Sequence, residues 1–235
     1  PYEGRGDAPR TPPIIGDYHS SRRFLGHIPS PKYSHLQPRI LMGIQHQVEH
    51  DDRATKDRQT LAKELMALTN IDPDNRYCAC ERDGSLTNGF EIVTGYTGLD
   101  THEKHLKALA SMPFVKQLKS HDTKTCGLHV HIDKTGMTMF HASKLMMFMH
   151  APQNERLIRA VARRYGYHSG YAKFKDKTKP DANNGDSRRM VSQARYLLRS
   201  SDYRAGTNYR NNLLRQLNND RYEAVNFQPE KTVEF

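Results

Sequence analysis

The sequence has few cysteines and no long apolar run, and both absences narrow the class of protein. Its three cysteines are Cys78, Cys80 and Cys126, and the first two are too close together for an easy disulfide. We therefore expect free thiols in a reducing, cytoplasmic environment. No run approaches the roughly 18 consecutive apolar residues of a membrane helix, and no apolar segment of a secretory signal follows Pro1. The 15 glycines and 12 prolines are too few and too scattered for a low-complexity chain.

Acidic residues are scarce relative to basic ones. The chain has 36 lysines and arginines against 26 aspartates and glutamates, which gives a net charge of +10 and a pI near 9.5. Such a surplus favours anionic partners such as nucleotides, nucleic acid or acidic substrates. The mean hydropathy of −0.85 is low for a globular domain, yet aliphatic runs recur along all 235 residues. The sequence predicts a core inside long polar loops, in one large domain or two small ones.

The pattern of polar and apolar residues predicts an α+β chain. Residues 1–38, rich in proline and glycine, favour an extended arm docked on the body or on a neighbouring chain. Residues 39–235 predict one domain with a largely antiparallel sheet and helices on one face, interrupted by a basic, mobile insertion around 166–220. Predicted strands cover 39–50, 76–82, 89–94, 126–133, 222–228 and 231–235. Predicted helices cover 54–69, 100–119, 137–150, 153–165 and the region around 187–199.

Two histidines on one predicted strand are the strongest local signal. In the run Cys126-Gly127-Leu128-His129-Val130-His131 the two imidazoles alternate with apolar residues, so they project from the same face. At a separation of about 6–7 Å along a strand, such a pair suits a metal ion or a phosphate group. The alternative is that both are surface or core histidines with satisfied hydrogen bonds, among the 13 histidines of the chain. For the pair taken alone, this alternative is slightly favoured.

Three carboxylates lie at positions that suit a catalytic or metal-binding role. Asp83 lies at the tip of the predicted hairpin and Glu91 on its return strand, although an Asp-Gly pair is also an ordinary turn. Glu234 lies between Val233 and Phe235 in an apolar strand. A carboxylate that points inward there is costly unless it is paired or bound to metal. The alternative is that Glu234 points to solvent.

Polar residues also line one face of the first predicted strand. Gln45, Gln47 and Glu49 alternate with apolar residues, which indicates either a lined pocket or a solvent-exposed sheet face. The exposed face is the favoured interpretation for this strand alone.

Basic residues in the second half of the chain suit phosphate. Arg163 and Arg164 lie at a predicted helix end, and Lys173 begins a loop of alternating lysines. A complement to the helix dipole and a solvated loop explain them equally well.

Taken together, the motifs resemble the amidoligase family of bacteria and phages. That family is similar to glutamine synthetase and glutamate–cysteine ligase, within the carboxylate–amine ligase superfamily, and the resemblance covers roughly residues 39–235. In chain order the motifs are Gly43-Ile44-Gln45-His46-Gln47, Asp83-Gly84-Ser85-Leu86, Gly89-Phe90-Glu91-Ile92-Val93, Cys126-Gly127-Leu128-His129-Val130-His131, Arg221-Tyr222 with Ala224-Val225-Asn226, and Lys231-Thr232-Val233-Glu234-Phe235.

The resemblance implies an ATP-dependent ligase that joins a carboxylate and an amine through an acyl-phosphate. It implies a curved, glutamine-synthetase-like sheet whose concave face holds Mg²⁺, or Mn²⁺ in its place, between ATP and a substrate that can be part of a peptide or protein. The metal ligands implied are Glu91, His129 and Glu234, with Gln45 and Gln47 in the first-strand positions.

The resemblance also implies a substrate and nucleotide side. Asp83 would line the metal or substrate side, and His131 would contact ATP phosphates. Arg163, Arg164 and Lys173 would clamp phosphates in the transition state.

The first strand departs from the family pattern. The family has Glu-x-Glu where this chain has Gln45-His46-Gln47, and the loss of two negative charges should weaken binding of divalent cations. Three explanations remain open: a degenerate, non-catalytic member; fewer metals, with Glu49 or His46 compensating; or engineered Glu→Gln changes.

Two competing functions follow from the same residues. One is a non-catalytic phage protein on this scaffold, which uses its basic surface to dock on DNA or virion partners, in the host cytoplasm or the virion. The other is a metal-dependent hydrolase or nuclease built on Asp83, Glu91, His129 and His131. The second leaves the order of the motifs unexplained.

Overall fold

The computed structural model describes residues 14–19, 41–69, 76–120, 123–134, 137, 139–161, 225–229 and 231–235. These residues form an α+β fold, as the sequence predicts. The strands are β1 (Ile15–Gly16), β2 (Met42–His50), β3 (Cys78–Glu81), β4 (Gly89–Thr94), β5 (Leu118–Lys119), β6 (Leu128–Asp133) and β7 (Thr232–Glu234). The helices are α1 (Arg58–Thr69), α2 (Leu99–Ala110), α3 (Met139–His150) and α4 (Glu155–Val161), with 3₁₀ turns at Pro113–Gln117 and Pro152–Asn154.

The chain divides into two compact units. The first unit comprises Pro1–Arg39 and Gly43–Gly127, and the second comprises Ile40–Met42 and Leu128–Phe235. Within the described ranges, no helix has both the length and the apolar character needed to cross a bilayer.

The first unit contains a sheet with β4 between β3 and β2. Both neighbours run antiparallel to β4, and the β3–β4 pair confirms the hairpin that the sequence predicts. At the edges, β1 pairs with β3 in parallel and β5 pairs with β2 antiparallel. The register aligns Gln47, Glu91 and Glu81 in one row across β2, β4 and β3.

Side chains alternate along each strand, and those on the opposite face of this sheet are largely apolar. This face presents Cys80 and Phe90 to Leu61 and Leu65 of α1 and to Leu109 of α2. Burial raises the pKa of Cys78 on this face to about 12, so its thiol stays protonated in neutral solution. Cys78 and Cys80 are therefore core residues.

Local chemistry sets the helix boundaries of the first unit. A carboxylate oxygen of Asp57 accepts hydrogen bonds from the backbone N–H groups of Gln59 (2.9 Å) and Thr60 (3.0 Å), so α1 begins at residue 58 and not at 54. The predicted helix over 100–119 is wrong beyond Ala110. Pro113 cannot donate to a continuing helix and leaves Met112 extended, with φ −83° and ψ 134°.

The second unit contains β6 paired antiparallel with β7, and a bridge between Asn226 and Glu234 on the other side of β7. Val225, Phe227 and Val233 lie on one face, where they form a core with Ala142 of α3 and with neighbouring partly buried residues. The opposite face is polar. The described part of the predicted strand 222–228 contributes the bridge at Asn226 and no longer strand.

Several predictions fall outside the described residues. These are the insertion around 166–220, the helix around 187–199 and most of the arm over 1–38. From the predicted arm, the described segment 14–19 supplies β1, and the backbone N–H of His19 donates to the carboxylate of Glu81 at 2.8 Å. The boundary proposed at residue 39 stays a prediction.

Candidate metal centre

The polar face of β6 and β7 carries the residues that can hold a metal ion. His131 lies directly opposite Glu234, and His129 precedes it by two positions on the same face. Val130 and Phe235 exchange both backbone hydrogen bonds, each at 3.0 Å. His131 and Glu234 are therefore a non-hydrogen-bonded pair, the arrangement in which cross-strand side chains come closest.

The side chains of this face contact one another directly. Nδ1 of His129 lies 2.7 Å from Oε1 of Glu234, and Nδ2 of Asn226 donates to Oε2 of Glu234 at 3.0 Å. Nδ1 of His131 lies 3.2 Å from the hydroxyl of Thr232. One ligand atom from each of His129, His131 and Glu234 falls in a group whose members are all within 4.8 Å of one another.

Electrostatics keep Glu234 ionised. Burial raises the pKa of this carboxyl, but the hydrogen bond from His129, the charges of His129 and His131 and the amide of Asn226 together lower it below its usual value. Glu234 therefore supplies a negative charge at neutral pH. This charge stands beside two imidazoles.

A buried lysine holds the backbone on which the centre is built. The Lys134 side chain is 1% exposed, and its Nζ donates to the carbonyl oxygens of Phe227 (3.1 Å) and Pro229. Its backbone N–H donates to the carbonyl of Lys231 at 3.1 Å. These bonds flank Asn226 and the start of β7, so they fix the segments that orient Glu234.

A second group of polar residues lies in the first unit. Nε2 of Gln47 donates to Oδ2 of Asp83 at 2.8 Å and to the hydroxyl of Ser85 at 3.4 Å. Ser85 in turn donates its N–H and its hydroxyl to Oδ1 of Asp83. Gln47 is 7% exposed and Glu91 opposite it is 2% exposed. The solvent-exposed face favoured from the sequence is therefore wrong at Gln47.

Glu49 and His46 lie in other surroundings than Gln47. The carboxylate of Glu49 accepts hydrogen bonds from the N–H groups of Thr87 and Asn88 and from the hydroxyl of Thr125. It therefore anchors the β3–β4 loop. His46 pairs with Ile92 and projects from the opposite face to Gln47, and burial lowers its pKa.

The structure brings some of the predicted site residues together. His129, His131 and Glu234 form one group in the second unit, with His131 beside the carboxylate. In the first unit Gln47 contacts Asp83 and lies opposite Glu91, whereas Gln45 lies half-buried opposite Val93. Arg163, Arg164 and Lys173 lie outside the described residues.

Sequence reasoning assigned no role to Asn226, Thr232 or Ser85. Alternation along β7 places Thr232 on the face of Glu234, so that residue was detectable. The roles of Asn226 and Ser85 follow from contacts that no local pattern reveals.

The donor set of the centre does not fit Mg²⁺ well. Mg²⁺ demands an octahedral shell of oxygen atoms, most of them from water, carboxylates or phosphates. The group in the second unit offers two imidazole nitrogens and one carboxylate. Such a set is typical of first-row transition ions.

Comparison of the chain with protein-family models, with curated proteins and with solved structures finds no match. The fold class and the geometry of the centre are therefore the findings on which a functional proposal rests.

Proposed function

We propose that the protein is an ATP-dependent carboxylate–amine ligase with a glutamine-synthetase-like, curved sheet. The observation that carries the proposal is the convergence of His129, His131 and Glu234 on one polar face. These are the residues that the resemblance to amidoligases implies for the metal and for the phosphates of ATP. The substrates are an amine and a carboxylate, which can be part of a peptide or protein, and the site of action is the cytoplasm.

Each residue of the centre has a role that its surroundings support. Glu234 carries a negative charge that Asn226 holds in position. The His131 ring, fixed by Thr232, can donate to a phosphate oxygen. A bound divalent ion would neutralise charge on the transferred phosphoryl group.

The net charge of the whole chain favours binding of the proposed substrates. A net charge of +10 attracts ATP and acidic substrates over distances longer than a hydrogen bond. A carboxylate substrate and a triphosphate are both anions, so both gain from this field. The gain falls with added salt.

ADP release tests the proposal. Purified protein is incubated with ATP, a panel of amines and carboxylates, and either Mg²⁺ or Mn²⁺, and ADP is measured by chromatography. We expect substrate-dependent ADP release that Glu234→Gln lowers by about 100-fold or more, because the substitution removes the charge at the centre. His141→Ala, on the exposed side of α3, is the matched control and should leave the rate unchanged.

The same assay is run on the double variant Gln45→Glu/Gln47→Glu, which restores the family pattern. If neither the natural sequence nor the double variant releases ADP with any substrate pair, the ligase proposal is wrong.

A second candidate is a non-catalytic protein on the same scaffold, docking to nucleic acid or to virion partners. The Gln47–Asp83 hydrogen bond favours it, because an amide group stands where the family has a charged metal ligand. Fluorescence anisotropy with duplex DNA tests this function. Binding that weakens about 10³-fold or more between about 50 and 200 mM salt supports phosphate contacts, whereas no binding at low salt contradicts it.

A further inference from the structure

We propose that His129, His131 and Glu234 form a three-residue site for a first-row transition ion, in preference to Mg²⁺. This inference deepens the proposed function and rests on it for the role of the ion in the reaction, but it assigns His131 to the ion in place of a contact with phosphate. Its geometric basis is independent of any substrate.

The donor atoms favour a transition ion. Two of the three ligand atoms are imidazole nitrogens, and all three lie within 4.8 Å of one another. Nitrogen donors favour ions such as Mn²⁺, Co²⁺ and Zn²⁺ over the harder Mg²⁺. Among them, affinity increases from Mn²⁺ to Co²⁺. A single carboxylate gives Mg²⁺ too little charge and too few oxygen ligands.

Neighbouring side chains hold the donors in position. Asn226 holds Oε2 of Glu234 and leaves Oε1 on the side of His129. Thr232 contacts Nδ1 of His131 and so restrains its ring. Partners of this kind orient metal ligands, and their loss typically weakens metal affinity by about 10–100-fold.

The group is accessible from solvent. The His129 side chain is 36% exposed and that of Glu234 is 23% exposed, so an ion can reach the group from solvent. An ion would take the place of the hydrogen bond between Nδ1 of His129 and Oε1 of Glu234. Three protein ligands leave at least one coordination position for water or a phosphate oxygen.

Cobalt titration tests the site. Protein without a polyhistidine tag is stripped with EDTA and titrated with Co²⁺, and the visible d–d absorption is recorded. We expect one equivalent to bind with the intense bands of a nitrogen-ligated, low-coordinate ion. A large excess of Mg²⁺ should leave the bands in place, whereas Zn²⁺ should abolish them.

Variants assign the ligands. His131→Ala and Glu234→Gln should lower Co²⁺ affinity by about 100-fold or more, and Asn226→Ala by about 10-fold. His141→Ala, in the same unit, is the control and should bind like the natural sequence. Circular dichroism checks that each variant is folded. Where a variant does not fold, Cu²⁺ is bound to the natural sequence and its electron paramagnetic resonance spectrum is recorded instead. We expect superhyperfine splitting from two nitrogen ligands.

The outcomes separate this inference from the ligase proposal. A saturable Co²⁺ site that His131→Ala removes supports the inference even when no ADP is released. Absence of saturable Co²⁺ binding, displacement by Mg²⁺, or affinity unchanged by His131→Ala overturns it, even where ATP is consumed with Mg²⁺.

Discussion

Gln47 donates its side-chain amide to the carboxylate of Asp83 at 2.8 Å, from a position directly opposite Glu91 in the neighbouring strand. The amide N–H supplies partial positive charge to the carboxylate of Asp83. A hydrogen bond to a charged acceptor is stronger than one between neutral groups. In this chain an amide group therefore holds the Asp83 carboxylate against β2.

We expect Gln47→Glu to lower the free energy of unfolding by about 1–3 kcal/mol, because it replaces a donor by a second carboxylate against Asp83. Mg²⁺ should recover part of this loss, since it can bind between the carboxylates, and should leave the natural sequence unaffected. Urea unfolding with and without Mg²⁺ measures both effects. Gln45→Glu, half-buried opposite Val93, is the control and should respond less. Equal stability of Gln47→Glu and the natural sequence without Mg²⁺ would show that the amide is not needed.

Gly89 is the first residue of β4 and pairs with Glu49 of β2. A Cβ atom at this position would overlap the carbonyl oxygen of Val48, which is backbone and cannot move aside cheaply. Gly89→Ala should therefore lower the free energy of unfolding by about 2–3 kcal/mol. Gly84→Ala is the matched control, because nothing lies within 4 Å of the position that its new methyl group would take. Thermal unfolding followed by circular dichroism measures the difference, and similar melting temperatures would contradict the strand register.

Lys134 ties the segment of Asn226 to the end of β6. Lys134→Met keeps most of the side-chain volume but leaves the carbonyl oxygens of Phe227 and Pro229 without their charged donor. We expect a loss of about 2–3 kcal/mol in urea unfolding and weaker Co²⁺ binding, because Glu234 loses its support. Lys144→Met, on the exposed side of α3, should change neither quantity. A Lys134→Met protein that retains full stability would refute the structural role of this lysine.

Glu49 makes the stability of the first unit depend on pH. Burial raises the pKa of this carboxyl, but hydrogen bonds from Thr125, Thr87 and Asn88 lower it overall below its usual value of 4.5. The contribution of Glu49 to stability is therefore complete above pH 4.5 and is lost as the pH falls through the lower pKa of the folded state.

Glu49→Gln should therefore cost about 1 kcal/mol at neutral pH, and the cost should shrink in acid. Urea unfolding measured from neutral pH to below pH 4.5 checks this dependence, with Glu103→Gln on α2 as the control. A cost that stays constant or grows as the pH falls would rule out the charged hydrogen bonds.

The sequence was informative where structure is local. Alternation along one strand placed His129 and His131 on the same face, and the apolar runs around Asp83 predicted the β3–β4 hairpin. The break in α2 was also encoded locally, in Pro113, although the helical pattern of the preceding residues masked it. Strands of two residues, such as Ile15–Gly16, are too short to leave a periodic signal.

Contacts between distant parts of the chain could not be predicted from the sequence. The Thr232–His131 contact joins residues 101 positions apart, and it depends on the register of β6 against β7. A shift of one residue would turn Glu234 to the opposite face, and no single-sequence pattern fixes that choice. The Gln47–Asp83 contact is of the same kind, since it depends on how the loop after β3 folds back over β2.

The differing environments of the three thiols make the protein suited to single-site labelling. Burial raises the pKa of all three thiols, but Cys78 and Cys80 are sealed in the core, whereas Cys126 is only half-buried, next to the Thr125 that contacts Glu49. A maleimide fluorophore would attach at Cys126 without any cysteine being removed. It would report, in real time, whether the loop anchored by Glu49 opens when a ligand is added.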